Sequence, residues 1–199
     1  NMSKVVDRGE GGFSARNFKR GGKFGKTEEI KEEYLEEQVN PTHATTFMRA
    51  NPPTMGHENV VNKVLDIASK SGGSHSVILS HTQDATKNPL SPAQKIKHAK
   101  NAFPNANVEV ASEDEPSILN QASKLHGEGA QHLHVVVGSD RVKEMHHLLH
   151  KYNGVEGKHG KYHFKKITVH SAGHRDPDAE GAEGMSGTKM RHHASSGNY

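Results

Sequence analysis

From residue 43 onward, short β-branched runs alternate with longer stretches whose apolar side chains recur every third or fourth position. Residues 43–49, 75–80, 107–111, 131–137 and 166–171 read as strands. Helices are expected over 56–71, 91–102, 116–126 and 139–151, with a last one starting near Ser186. Such alternation predicts an α/β fold, a parallel sheet covered by helices on both faces and joined by right-handed crossovers. The run Val135-Val136-Val137 fits a strand buried on both sides. The pattern leads to a five-stranded sheet over residues 42–199 with no internal repeat, and a doubly wound order of 3-2-1-4-5 is the expectation for it. The Gly/His/Lys-rich stretch 153–161 reads as a loop.

The first forty residues break this pattern. Residues 1–26 hold Lys4, Arg8, Arg16, Lys19, Arg20, Lys23 and Lys26 against Asp7 and Glu10, among many glycines. With little apolar area to bury, such a stretch cannot offset its ordering entropy, and a flexible basic arm is expected. Residues 27–41 turn acidic, with Thr27 set to cap a short helix carrying Ile30, Tyr34 and Leu35, ended by Asn40-Pro41. Phe13, Phe18 and Phe24 in the arm would suit stacking on nucleic acid. The same spacing serves a linker, or a peptide docking on a larger assembly.

Composition narrows the chemistry. Among 199 residues there is no Cys, which excludes a disulfide framework, a thiolate metal site and a cysteine nucleophile. No apolar stretch approaches the roughly 18 residues of a membrane span. No apolar segment follows the N-terminus as in a secretory signal. A soluble, cytoplasmic protein with no membrane partner is therefore expected. The net charge of +3 is too small to argue by itself for a polyanionic partner. The chain opens Asn1-Met2, as a processed or excised chain would.

The first strand runs into Arg49-Ala50-Asn51-Pro52-Pro53-Thr54-Met55-Gly56-His57, and a helix follows at once. In α/β sheets, ligands bind beyond the carboxyl ends of the strands. A helix start there offers amides and a positive dipole end to a phosphate. Gly56 allows close approach of the backbone, and Thr54 and His57 can donate to phosphoryl oxygens. Each residue alone also has a plainer role: Pro-Pro makes a turn, Thr54 caps a helix, and a lone His sits on the surface. Two further segments repeat the arrangement. After the fourth strand comes Gly138-Ser139-Asp140, beside the first strand at the point where the winding reverses. Asp140 there can accept from a ribose hydroxyl or a base amino group, or simply start a helix. After the fifth strand, Met185-Ser186-Gly187-Thr188-Lys189-Met190-Arg191 sets hydroxyls, amides and a guanidinium at a helix start, as a polyphosphate clamp would.

Together these segments resemble the nucleotidyltransferase superfamily marked by an H/T-x-G-H motif, which includes cytidylyltransferases, pantetheine-phosphate adenylyltransferase and nicotinamide-mononucleotide adenylyltransferase. Thr54-Met55-Gly56-His57 matches the first signature in its Thr form, and Met185 to Arg191 matches the second, I-S-x-T-x-x-R. Lys87-Asn88-Pro89-Leu90-Ser91 is similar to the loop that carries a substrate-contacting Lys in several members. Arg49 to Glu58 and Gly173 to Arg191 look most like versions encoded by large tailed bacteriophages. The resemblance implies a Rossmann-like fold and transfer of a nucleotidyl group, AMP rather than CMP on family frequency, to a phosphorylated small-molecule acceptor, with release of pyrophosphate. It implies catalytic roles for His57, Thr54 and Arg191. Arg49, Asn51, Gly56, Gly138, Asp140, Ser186 and Thr188 would bind the nucleotide and its phosphates, and Lys87 would meet the acceptor. Mg²⁺ would be held through the triphosphate, with no protein metal ligands. In relatives a final helical segment follows the position of Gly197-Asn198, which leaves open a natural chain that continues past Tyr199.

Rival readings attach to the same residues. A virion or scaffold component keeping the fold without turnover, joined to phage structural proteins through its arm, would also carry such segments. A fragment of a class I aminoacyl-tRNA synthetase shares the phosphate logic but needs more chain. His146 and His150 lie one helical turn apart, yet lack the His-Glu-x-x-His pattern of a zinc site and an obvious third ligand. His132 and His134 share one face of a strand. His192 and His193 could add positive charge beside Arg191, and 175–183 reads as a polar loop.

Overall fold

A computed structural model describes residues 41–173 and 186–197. The expected basic arm, the acidic helix, the 175–183 loop and Met185 lie outside the described residues. The chain divides between Val39 and Asn40, and the second unit, Asn40–Tyr199, carries everything below.

Five strands, β1 (Thr42–Met48), β2 (Ser74–Leu79), β3 (Val108–Val110), β4 (His132–Val137) and β5 (Lys166–Ser171), form one sheet of order β3-β2-β1-β4-β5. Every pairing is parallel, as the sequence pattern requires. The helices are α1 (Met55–Ser71), α2 (Pro92–Ala102), α3 (Ile118–Gly127), α4 (Val142–Lys151) and α5 (Gly187–Ser195). Most elements fall within a residue or two of the expected bounds, and two of the shifts have a local reason. Ser117 takes the N-cap position and its hydroxyl accepts from the Asn120 amide at 3.3 Å, so α3 starts after it rather than at Pro116. The stretch 139–151 opens with a 3₁₀ turn, Ser139–Arg141, before α4 begins.

Buried apolar residues fall on both faces of the sheet. Val61 of α1, Ala99 of α2 and Phe103, which follows α2, pack with Val77, Leu79 and Met48, while Val64, Ile67 and Ala68 of α1 meet Ala44 and Val136. On the opposite face, Leu133, Val135 and Val137 pack against Ile118, Ala122 and Leu125 of α3 and Met145 and Leu149 of α4. The alternation of Val135, Val136 and Val137 between the faces is what a doubly covered strand demands. β1 and β4 are central neighbours, in register at Thr45 and Val135, so continuing both strands brings Met48 level with Gly138. The chain leaves that point in two directions, toward α1 and toward α4, and this reversal opens the crevice of a doubly wound sheet.

Candidate functional site

At the end of β1 the backbone turns sharply. Ala50 is fully buried with a φ of 42°, in the left-handed region that side chains other than glycine seldom occupy, and the Asn51–Pro52 peptide is cis. Thr54 then caps α1 in extended conformation. The His57 ring folds back on the cap: Nδ1 accepts from the Thr54 backbone N–H at 3.1 Å and lies 2.8 Å from the Thr54 hydroxyl. Because an amide can only donate, Nδ1 carries no proton, and the neutral ring bears its hydrogen on Nε2. The cap thus fixes His57 as an Nε2–H donor at a helix start. A Cβ built on Gly56 would meet only Thr54 Oγ1, at an ordinary 3.8 Å. The protein's own packing therefore does not demand glycine at that position.

The last helix reaches back to this turn. Arg191 Nη1 donates to the Asn51 carbonyl at 2.5 Å, and Nη2 donates to Thr188 Oγ1 at 3.1 Å. Ser186 caps α5, its hydroxyl accepting from the Lys189 amide at 3.1 Å. Gly187 keeps the helix close: a Cβ there would stand 3.1 Å from the Asn51 carbonyl oxygen and 3.3 Å from Arg191 Nη1. Segments 140 residues apart in sequence are thereby joined through one guanidinium, with two helix N-termini nearby. At the end of β4, the Asp140 carboxylate folds over Gly138, where a Cβ would lie 2.7 Å from Oδ1. Asp140 and Lys87 are exposed and enter no ion pair among the described residues.

The loop after β2 holds a polar core that the sequence reading passed over. Asn88 is buried; its amide nitrogen donates to the Thr82 carbonyl and, at 2.9 Å, to the Thr82 hydroxyl, while its Oδ1 accepts from Asn51 Nδ2. Lys95 of α2 is wholly enclosed and donates to the carbonyls of Ser80, at 2.9 Å, and Thr82. Burial pushes its ammonium below the usual lysine range; the nearby Arg49 guanidinium adds to the shift and Asp84 opposes it. Arg49 itself is exposed. The signal was present in sequence, since Lys95 occupies the inward stripe of α2 with Ala99. Gly187 and Ala50, the other residues missed, carry no such signal, because neighbours distant in sequence or a backbone angle define their roles.

Of the further histidine candidates, His192 and His193 follow Arg191 on α5, and the others sit elsewhere. The His146 and His150 rings stack at 3.9 Å on α4, and His134 Nδ1 lies 2.8 Å from His170 Nε2 across β4 and β5. Among the described residues, no three His, Cys, Asp or Glu side chains are grouped as metal ligands. Nor is any helix among them long and apolar enough to cross a membrane. In comparison with known proteins, the chain matches no protein-family model and no curated protein sequence.

Proposed function

We propose that the crevice at the ends of β1 and β4 binds a magnesium nucleoside triphosphate, and that the protein transfers its nucleotidyl group, AMP in preference to CMP, to a phosphorylated small molecule. The observation that carries this reading is the Arg191 bridge between Asn51 and Thr188, which unites the Thr54–His57 turn with the start of α5. A cation and two helix starts facing one crevice suit a polyanion. The residue types also match both signatures of the family described above.

In the reaction, an acceptor phosphate oxygen attacks the α-phosphorus, the bond to the β-phosphate oxygen breaks, and pyrophosphate leaves. No protein nucleophile takes part. Nε2–H of His57 donates to an α-phosphoryl oxygen as charge develops there, with Thr54 beside it and its tautomer set before substrate arrives. Arg191, Thr188, Ser186 and the α5 amides hold the β- and γ-phosphates and stabilise the leaving group. Gly56 admits the phosphate to the α1 amides, and Asn51, Arg49, Gly138 and Asp140 line the nucleotide side. Lys87 meets the acceptor. Mg²⁺, held through the triphosphate rather than by side chains of the protein, would supply charge neutralisation to the phosphate oxygens.

Thermal unfolding with Mg-ATP, Mg-CTP or neither tests the reading. A nucleotide at 100-fold its Kd should add about 2.7 kcal/mol and visibly raise Tm. His57→Ala should reduce turnover by about 10²–10³-fold, the scale for one preorganised donor. A folded wild-type protein whose Tm responds to neither nucleotide would instead favour a structural component that keeps the fold without the activity.

A further inference from the structure

The β2–α2 loop reaches the phosphate turn through one pair of side chains. Asn51 is buried and uses both ends of its amide toward this loop: Nδ2 donates to Asn88 Oδ1, and Oδ1 accepts from the Leu90 backbone N–H at 3.4 Å. Asn88, 1 % exposed, is more fully committed. Its side chain joins Asn51 to Thr82, and its backbone pairs with Asp84 in both directions, at 2.9 and 3.2 Å. Asp84 Oδ1 in turn accepts from the amides of Thr86 and Lys87, at 3.0 and 2.6 Å. The far side is anchored independently, because the Lys95 ammonium converges on the same Thr82 carbonyl that Asn88 holds. A buried amide satisfied on every side has one geometry, whereas a half-satisfied one is costly. The backbone that presents Lys87 therefore takes its place from Asn88.

We propose that Asn88 is a positioning residue: it locks the Lys87 loop onto the Asn51 turn and thereby sets the acceptor side of the crevice, without itself touching either substrate. The acceptor role of that loop rests on the nucleotidyltransferase reading, while the lock is a property of the unliganded protein and is tested separately. It also makes the two sides of the site separable. Arg191 grips the Asn51 main-chain carbonyl, whereas Asn88 grips the Asn51 side chain.

The chain has no tryptophan, so Ala85→Trp puts a single, selectively excited tryptophan in the exposed loop. In that background, Asn88→Ala should lower the fluorescence anisotropy. It should also speed amide exchange over 84–90 by about tenfold or more, tenfold being the factor for losing one of the three hydrogen bonds that its side chain makes. The Kd for Mg-ATP should change less than about twofold, while Arg191→Ala should weaken it about tenfold or more. The isosteric Asn88→Asp keeps an acceptor for Asn51 and should fall between wild type and Asn88→Ala; it takes over the test should the alanine variant not fold. Unchanged anisotropy and exchange would overturn the lock. Equal loss of Mg-ATP binding and loop order would overturn the division into two sides. A wild-type protein that ignores Mg-ATP would remove the acceptor role, and with it the positioning proposal, whatever the loop measurements say of the lock.

Discussion

A single ring nitrogen decides what His57 can do. With Nδ1 engaged by the Thr54 amide, the ring needs no protonation to donate from Nε2, so the role proposed for it does not depend on a charged ring. Gly56, one position earlier, separates folding from function. Alanine would replace glycine in a helix with space for the methyl group, raising stability by about 0.5–1 kcal/mol. If phosphate approaches the α1 amides closely, the same change should weaken Mg-ATP binding by about tenfold. Calorimetry of Gly56→Ala measures both, and full binding by the stabilised variant would contradict close approach. Arg191→Lys makes a parallel case. A lysine cannot reach the Asn51 carbonyl and Thr188 together as a planar fork does. Titration of the lysine variant should therefore show weakened triphosphate binding in a protein that still folds.

Side-chain caps fix where several helices of this molecule begin. Ser91 and Ser117 each close a capping box with the residue three further on, Gln94 and Asn120. Replacing either serine by alanine should cost about 1 kcal/mol, or about 2–4 °C in Tm for a chain of this size. Denaturation curves at constant slope would show it. Element type and order were legible because each run of apolar residues keeps a single period, as in 131–137 against 56–71. The start of α4 was not, because Gly138-Ser139-Asp140 signals a turn and a helix cap alike, and only the carboxylate folding over Gly138 distinguishes them. For the candidate site, the residues on contiguous motifs could be named from sequence, and the structure joins two of those motifs through Arg191, Asn51 and Thr188. Asn88 and Gly187 were not legible, because their roles depend on partners from other parts of the chain: Asn51 and Thr82 for Asn88, and Asn51 for Gly187.

The sheet as a whole carries a pH liability away from the crevice. His43 of β1 is buried between Ser74 and Ser76, at 2.7 and 2.9 Å, and its pKa is pushed down to about 4, chiefly by burial and further by His75. Burial also lowers the pKa of His134 and His170, with His170 itself adding to the shift of His134. Above pH 6.5 these rings are neutral both folded and unfolded, so stability is at its plateau. Below 6.5 the unfolded chain binds protons that the native state refuses, and stability falls until the folded pKa is reached. For His43 alone the loss at pH 5 is about 2 kcal/mol, and urea midpoints at pH 7 and pH 5 should differ accordingly. Equal midpoints would contradict a neutral, buried His43. The same sheet organisation underlies the functional account, because the β1–β4 register sets Met48 level with Gly138 and the Arg191–Asn51 contact adds the start of α5. Hydrogen exchange with and without Mg-ATP reads this directly. Protection gained together over 51–60, 138–142 and 186–192 is the predicted result. Binding that protects none of these segments, or one without the others, would contradict a shared nucleotide site.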